Sequence, residues 1–108
     1  MRNSLLFLAL AGVGALSASA AADPAWQHAA DQYVGAAQQE VGAYHKQVDA
    51  APAGQSRRYA DARSDLAQCD RLVDQLKSTD PEHFDGLKVQ YEKTRARLVL
   101  DLRQAQGN

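Results

Sequence analysis

The sequence predicts an all-α fold, an antiparallel up-down-up bundle of three helices, within residues 23–106. Apolar residues recur at alternating spacings of three and four in three separate segments, which is the period of an amphipathic helix. An Asp-Pro pair precedes two of these segments, and the connections between segments are short. In the alternative arrangement, residues 56–105 form a helical hairpin that dimerises, and the helix at 24–50 is an arm.

The first twenty residues have the three parts of a secretory signal peptide. A positive charge at Arg2 is followed by the apolar run Leu5–Leu16 and by the small residues Ser17–Ala22. The apolar run is shorter than the about 20 residues that a membrane-spanning helix needs. Cleavage is expected after Ala20 or Ala22. The sequence therefore predicts a bacterial, Sec-exported protein of the periplasm or the extracellular medium, with no membrane contact after signal removal.

The first helix is expected at about residues 24–50. Asp23 is a favourable N-cap, and Pro24 suits the first helical position. Its apolar stripe consists of Ala30, Val34, Ala37, Val41, Tyr44 and Val48. Gly35 and Gly42 interrupt this helix. Each is either a weak point that costs about 1 kcal/mol relative to alanine, or a place where a neighbouring helix approaches the backbone closely.

The second helix is expected at about residues 57–77, after a Pro- and Gly-containing reversal. Ser56 is its expected N-cap, which places Arg57 and Arg58 in the first turn, where the helix dipole disfavours cations. The apolar stripe has unbroken spacings of 3, 4, 3, 4 and 3, and its members are Tyr59, Ala62, Leu66, Cys69, Val73 and Leu76. Four aspartates are assigned to the solvent-facing side, namely Asp61, Asp65, Asp70 and Asp74.

The third helix is expected at about residues 81–105, with Asp80 as its N-cap and Glu82 in its first turn. Its apolar stripe consists of Phe84, Leu87, Tyr91, Thr94, Leu98, Leu102 and Ala105. Val99 and Leu100 widen the apolar side near the C-terminus, where we expect the helix to cover more than one neighbour.

The charges of the first and third helices are complementary. Residues 23–49 contain four acidic side chains and one basic side chain, whereas residues 88–103 contain five basic and two acidic ones. In an up-down-up bundle these helices run parallel and can lie side by side, so the asymmetry favours their pairing. Without Arg2, the chain has 11 basic and 13 acidic side chains. This balance predicts no attraction to nucleic acid or to anionic lipid.

Cys69 is the single cysteine, so no internal disulfide is available. An odd cysteine in an exported protein is either a buried thiol or one that forms an intermolecular disulfide. The neighbouring Asp70 would raise the thiol pKa, which opposes a catalytic role. Arg57 and Arg58 are candidates for contact with an anion or a partner, and Trp26, near the start of the mature chain, is a candidate anchor for a partner.

The histidines do not form a metal-binding pattern. No two of His28, His45 and His83 share a helical face, and the pair His45 and Asp49 falls short of the four ligands of a structural zinc. No catalytic residue, cofactor or metal is predicted. The sequence instead suggests a small exported helical protein, not an enzyme, that acts through protein–protein contact or self-association, with a homodimer as one option. The alternative is a periplasmic helical bundle that binds a small ligand or a metal.

Overall fold

The computed structural model describes residues 23–107 as three helices, which are α1 (Pro24–Asp49), α2 (Ala60–Ser78) and α3 (Pro81–Ala105). No residue from 23 to 107 belongs to a strand. α2 packs closely against both α1 and α3. α1 and α3 run parallel, because Trp26 near the start of α1 contacts Phe84 near the start of α3, while Gln106 after the end of α3 donates to Gln47.

This arrangement confirms the predicted antiparallel, up-down-up three-helix bundle. α1 is packed onto the α2–α3 hairpin and does not stand away from it as an arm. The predicted signal peptide lies outside the described residues.

Aspartate caps begin α1 and α3 as the sequence predicts. The Asp23 carboxylate accepts a hydrogen bond from the Ala25 backbone N–H at 2.9 Å. Asp80 accepts one from the His83 backbone N–H at 3.0 Å and lies 2.8 Å from the His83 Nδ1 atom. Each aspartate satisfies a backbone donor that the first turn of a helix leaves unpaired.

α2 begins at Ala60, three residues later than predicted, and Ser56 is not its side-chain cap. Residues 56–59 form tight turns, and the N-cap position is taken by Tyr59, which provides no side-chain cap. The Ser56 carbonyl instead accepts hydrogen bonds from the Tyr59 N–H and from Arg63 Nη1. The two arginines at 57 and 58 thereby lie outside the helix, and Asp61 occupies the first turn, where the dipole favours an anion.

The core is built on the apolar stripe of α2. Every member of the predicted stripe from Tyr59 to Leu76 is buried, and Ala62 and Cys69 have no exposed surface. Leu72 is also buried, so α2 contributes side chains toward both of its neighbours. The α1 side of the core is built mainly from alanine and valine, whereas α3 contributes Phe84, Tyr91, Leu98 and Leu102. Most of the buried apolar area therefore belongs to the α2–α3 hairpin.

The three glycines inside helices have no packing role. A Cβ atom placed on Gly35, Gly42 or Gly86 would have no neighbouring atom within 4 Å. Of the two sequence interpretations of Gly35 and Gly42, the structure therefore supports weak points in the helix and not close helix crossings. Gly54, in the α1–α2 connection, differs because its φ angle is +86°, a conformation that side chains with a Cβ rarely adopt.

We predict that Gly35→Ala and Gly42→Ala each stabilise the protein by up to about 1 kcal/mol, because alanine restricts the unfolded chain and meets nothing in the folded one. Chemical denaturation followed by circular dichroism measures the change. Gly54→Ala is the matched control and should destabilise, because it forces a Cβ into the left-handed region. A loss of stability in both helix variants would contradict the open space around these positions.

Candidate functional site

The interface between α1 and α3 is held by polar side chains. Glu40 on α1 accepts a hydrogen bond from the Tyr91 hydroxyl at 3.0 Å and forms an ion pair with Arg95 at 3.0 Å. Tyr91 has no exposed surface, so its hydroxyl requires a partner inside the protein. Burial and the bond to Glu40 raise the Tyr91 pKa above its usual range. The predicted pairing of acidic α1 with basic α3 is therefore made at Glu40.

A second contact repeats this arrangement with the roles of the helices exchanged. The Tyr33 hydroxyl on α1 donates to Glu92 on α3 at 2.8 Å. Lys88 lies 4.9 Å from the centre of the Tyr33 ring, and Arg95 lies 5.7 Å from the centre of the Tyr91 ring. The two tyrosine rings are themselves edge-to-face at 6.4 Å. These contacts use the polar groups to join helices and leave none of them facing a cleft.

Cys69 lies in the centre of the core and is completely buried. Burial, reinforced by the negative charges of Asp65 and Asp70, raises the pKa of its thiol to about 11. A nucleophilic cysteine needs the opposite shift, since the thiolate is the reactive form. Within the described chain the thiol therefore has neither the exposure nor the low pKa of a reactive cysteine.

The other three residues singled out from the sequence are not brought together. Arg57 and Arg58 are exposed in the turn before α2, and Arg58 Nη2 donates to the Gln104 carbonyl at 3.4 Å. Trp26 lies at the opposite end of the bundle, half-buried, with its ring edge-on to Phe84 at 5.5 Å. Trp26 thus has a packing partner within the chain.

Asp65 is buried, and its assignment to the solvent-facing side of the second helix is wrong. Only 8% of Asp65 is exposed, and its Oδ1 atom accepts from Arg97 Nε at 3.2 Å. Its Oδ2 atom is buried and receives no hydrogen bond from an N–H group. Arg97, on the neighbouring helix α3, compensates the charge of Asp65. The spacing of residues within α2 does not reveal this interaction.

Asp101 lies one helical turn beyond Arg97 and shares this acidic environment. A hydrogen bond between its protonated carboxyl and Asp65 raises the Asp101 pKa from 3.8 to about 6, and partial burial and the negative charges of Asp65 and Asp61 add to the shift. Arg97 opposes it. Like charges that share a site favour protonation of one of them. This cluster joins α2 to α3 and was not predicted from the sequence.

The histidines contact carboxylates or are exposed. His45 pairs with Asp70 on α2 at 2.9 Å, and not with Asp49, and His83 pairs with its own cap, Asp80. The Asp80 hydrogen bond raises the His83 pKa, and the same contact lowers the Asp80 pKa. From residue 23 to residue 107, no three His, Cys, Asp or Glu side chains form a group able to hold a metal ion.

Two shallow grooves lie between neighbouring helices. The larger, of about 590 Å³, is between the end of α2 and the start of α3 and is lined by His83, Glu82 and Leu87 among others. The smaller, of about 340 Å³, runs between α1 and α2 beside the His45–Asp70 pair. Both are open to solvent along their length, so a small molecule in either would keep much of its surface in water.

The outward side of α3 has a second stripe, which we call the outer α3 stripe. Its members recur at spacings of 4, 3, 4, 3, 4 and 3, and all are exposed: Glu82, Gly86, Val89, Lys93, Ala96, Leu100 and Arg103. Val89 is 50% exposed and Leu100 is 57% exposed, and these are the exposed large hydrophobic residues of the described chain. The expectation that Leu100 helps to cover a neighbouring helix is therefore wrong, whereas Val99 beside it is half-buried.

Comparison with known proteins adds no relative: no family model matches the chain, and neither a curated protein nor a solved structure is significantly similar to it. Among the helices described here, none is long and apolar enough to cross a membrane.

We predict that Cys69 in the native protein reacts with a thiol reagent only as fast as the bundle opens. The buried thiol, with its raised pKa, has neither access nor thiolate character at neutral pH. Labelling with a chromogenic disulfide at pH 7 measures the rate, and the same chain in denaturant is the control. Native labelling as fast as that of the unfolded chain would contradict the buried position.

We predict that Asp101→Asn stabilises the protein above pH 6 and has little effect near pH 4. The raised pKa means that protonated Asp101 favours the folded state, and this contribution is present below pH 4 and is lost as the pH rises through about 6. Asparagine keeps a donor for Asp65 at every pH. The gain at pH 7.5 should be about 1 kcal/mol, since solvent screens a half-buried pair.

Urea denaturation of both chains from pH 4 to pH 8 checks this difference. Gln90→Ala, an exposed position on α3 that carries no ionisable group, is the matched control, and its stability difference should be the same at every pH. A stability difference for Asp101→Asn that is the same at every pH would rule out the shared proton.

Proposed function

We propose that this chain is a small, exported, non-enzymatic helical protein that works by contact with other protein chains, and that the outer α3 stripe is the contact surface. The observation that carries the proposal is the exposure of Val89 and Leu100 on one side of one helix. Single exposed apolar residues are common on protein surfaces. These two, however, lie on the same side of α3, the side that faces away from the core, with the small side chain of Ala96 between them.

The contacts made by polar side chains of the described residues favour a structural role for these side chains over a catalytic one. Tyr33, Glu40 and Arg95 join α1 to α3, and Asp65 joins α2 to α3 through Arg97. Cys69 is buried with a raised pKa. The chain thus uses its titratable side chains to hold the helices in register, and it exposes Val89 and Leu100 among the charged members of the outer α3 stripe.

The proposal includes export by the predicted signal peptide. Asp23 supplies the N-cap of α1 through its bond to Ala25, so a chain cut after Ala20 or Ala22 keeps the residue that begins its first helix. Removal of the leader also removes Arg2, which leaves a slightly acidic chain. Neither a membrane nor a nucleic acid is proposed as the partner.

The ligand-binding alternative has less support from the geometry. Ligand sites usually enclose most of the ligand's surface, whereas the α1–α2 and α2–α3 grooves are open. The outer α3 stripe, by contrast, exposes two large hydrophobic side chains, Val89 and Leu100. Protein contact is therefore the function that the described residues support best.

We predict that a photocrosslinking amino acid at Ala96, within the outer α3 stripe, captures a protein when the full chain is produced in an exporting bacterium. Ala36, exposed on α1, is the matched control position and should give no adduct. Gel shift and mass spectrometry identify the adduct, and the intact mass of the exported chain shows whether the leader was cut after Ala20 or Ala22. Absence of any protein adduct at Ala96 would refute contact through this stripe.

A further inference from the structure

We propose that the outer α3 stripe pairs with the same stripe of a second copy of this chain, with the two α3 helices antiparallel about a two-fold axis. This inference rests on the proposed function, because it names the partner for the same surface. It depends on two observations, the positions of the exposed apolar residues and the distribution of charge along the stripe.

The apolar residues of the stripe are arranged so that the reversed helix matches them. Val89 and Leu100 are eleven residues apart, which is about three turns and about 16 Å along one side of a helix. In an antiparallel pair, Val89 of one copy lies opposite Leu100 of the second copy, and the two-fold axis makes this contact twice. Ala96 lies opposite Lys93 of the second copy, where its small side chain leaves room for the lysine stem.

The charges of the stripe and of Asp85, an exposed residue that lies next to the stripe, select the antiparallel direction. Asp85 and Glu82 lie at the N-terminal end of α3, and Arg103 lies at the C-terminal end. Reversal of one helix brings Asp85 beside Arg103 of the second copy at both ends of the interface. A parallel pair would instead place like charges together along the whole stripe, which destabilises association. Antiparallel helices also oppose their dipoles favourably.

The centre of the stripe makes the association weak. Lys93 lies close to the two-fold axis, so the lysines of the two copies approach one another there. Arg97 beside the axis is already paired with Asp65. One narrow helical surface per copy also falls among the small interfaces that bury less than about 1,200 Å² in total. We therefore expect a dimer that is populated at high concentration and dissociates on dilution.

The test is sedimentation equilibrium of the mature chain at concentrations up to about 1 mM, the range in which a weak dimer is populated. The wild type should show a concentration-dependent dimer. Leu100→Lys should weaken association at least tenfold, whereas Lys93→Leu should strengthen it at least tenfold by removing the central repulsion and adding apolar surface. Ala36→Lys, on the exposed side of α1, is the matched control and should leave the dissociation constant unchanged.

Charge reversal tests the direction of the two helices. Asp85→Lys alone and Arg103→Glu alone should each weaken the dimer severalfold, because each places like charges opposite one another. The double variant should recover the wild-type affinity, because the charges are again complementary in the reversed orientation. Circular dichroism melts show whether each variant keeps its helices, so a failure to fold is not counted as a failure to associate.

Two results would overturn the proposal. One is a wild type that stays monomeric at about 1 mM, whatever the Lys93→Leu variant does. The other is a dimer that Ala36→Lys disrupts and Leu100→Lys does not. If the chain is monomeric but the Ala96 crosslinker captures a different protein, the self-pairing is wrong and the proposed function stands. If no adduct forms at Ala96, the proposed function itself fails.

Discussion

The three-helix arrangement depends on Glu40. α2 packs closely against both neighbours, but the backbones of α1 and α3 come near each other at few points. Aromatic contacts of α1 with Phe84 close one end of the third side. Its middle is closed by the carboxylate of Glu40, which accepts from Tyr91 and pairs with Arg95 on the opposite helix. The bond from Tyr33 to Glu92 adds a second crossing in the reverse direction. Because the rings of Tyr33 and Tyr91 pack edge-to-face, these polar contacts border the core.

These polar contacts fix the position of α1 relative to α3. An alanine- and valine-rich face on α1 can slide along a partner at little cost, since small side chains interlock less than large ones. Directional bonds from Tyr33 and Tyr91 fix the longitudinal position of α1 on α3. Burial makes these bonds stronger than they would be in water and makes an unpaired hydroxyl costly. α1 is thus positioned by specific bonds, while the α2–α3 hairpin is held mainly by burial of apolar area.

Much of the fold could be predicted from the sequence because the helices and their buried faces depend on local residue patterns. The unbroken stripe from Tyr59 to Leu76 and the caps at Asp23 and Asp80 depend on spacings within one segment. The errors concern interactions between segments. Asp65 was assigned to solvent because its partner, Arg97, lies on another helix. Leu100 was assigned to the core because the width of the buried face of α3 depends on where its neighbours end. Ser56 resembles a cap, but the adjacent arginines favour a later start of the helix.

The candidate site likewise could not be predicted from patterns within single segments. The residues singled out from the sequence as chemically unusual were Cys69, Arg57, Arg58 and Trp26, and the structure keeps them apart. The outer α3 stripe became visible only when the buried side of α3 was known, because its pattern overlaps that of the core in the sequence. A sequence alone does not show which of two stripes on a helix faces the core. The outward stripe can therefore be identified only after the buried one is known.

The central position of Cys69 has a consequence for chains that lose their fold. In an oxidising compartment, a thiol enclosed by the helices is protected from disulfide exchange for as long as the bundle is closed. An unfolded chain has the same thiol without that shield and has no second cysteine with which to form an internal bridge. Any disulfide that it forms then joins it to another molecule, and refolding as a free chain requires that this bond be reduced first. Burial of this one sulfur therefore keeps folded chains out of intermolecular disulfides, and only chains that unfold can form them.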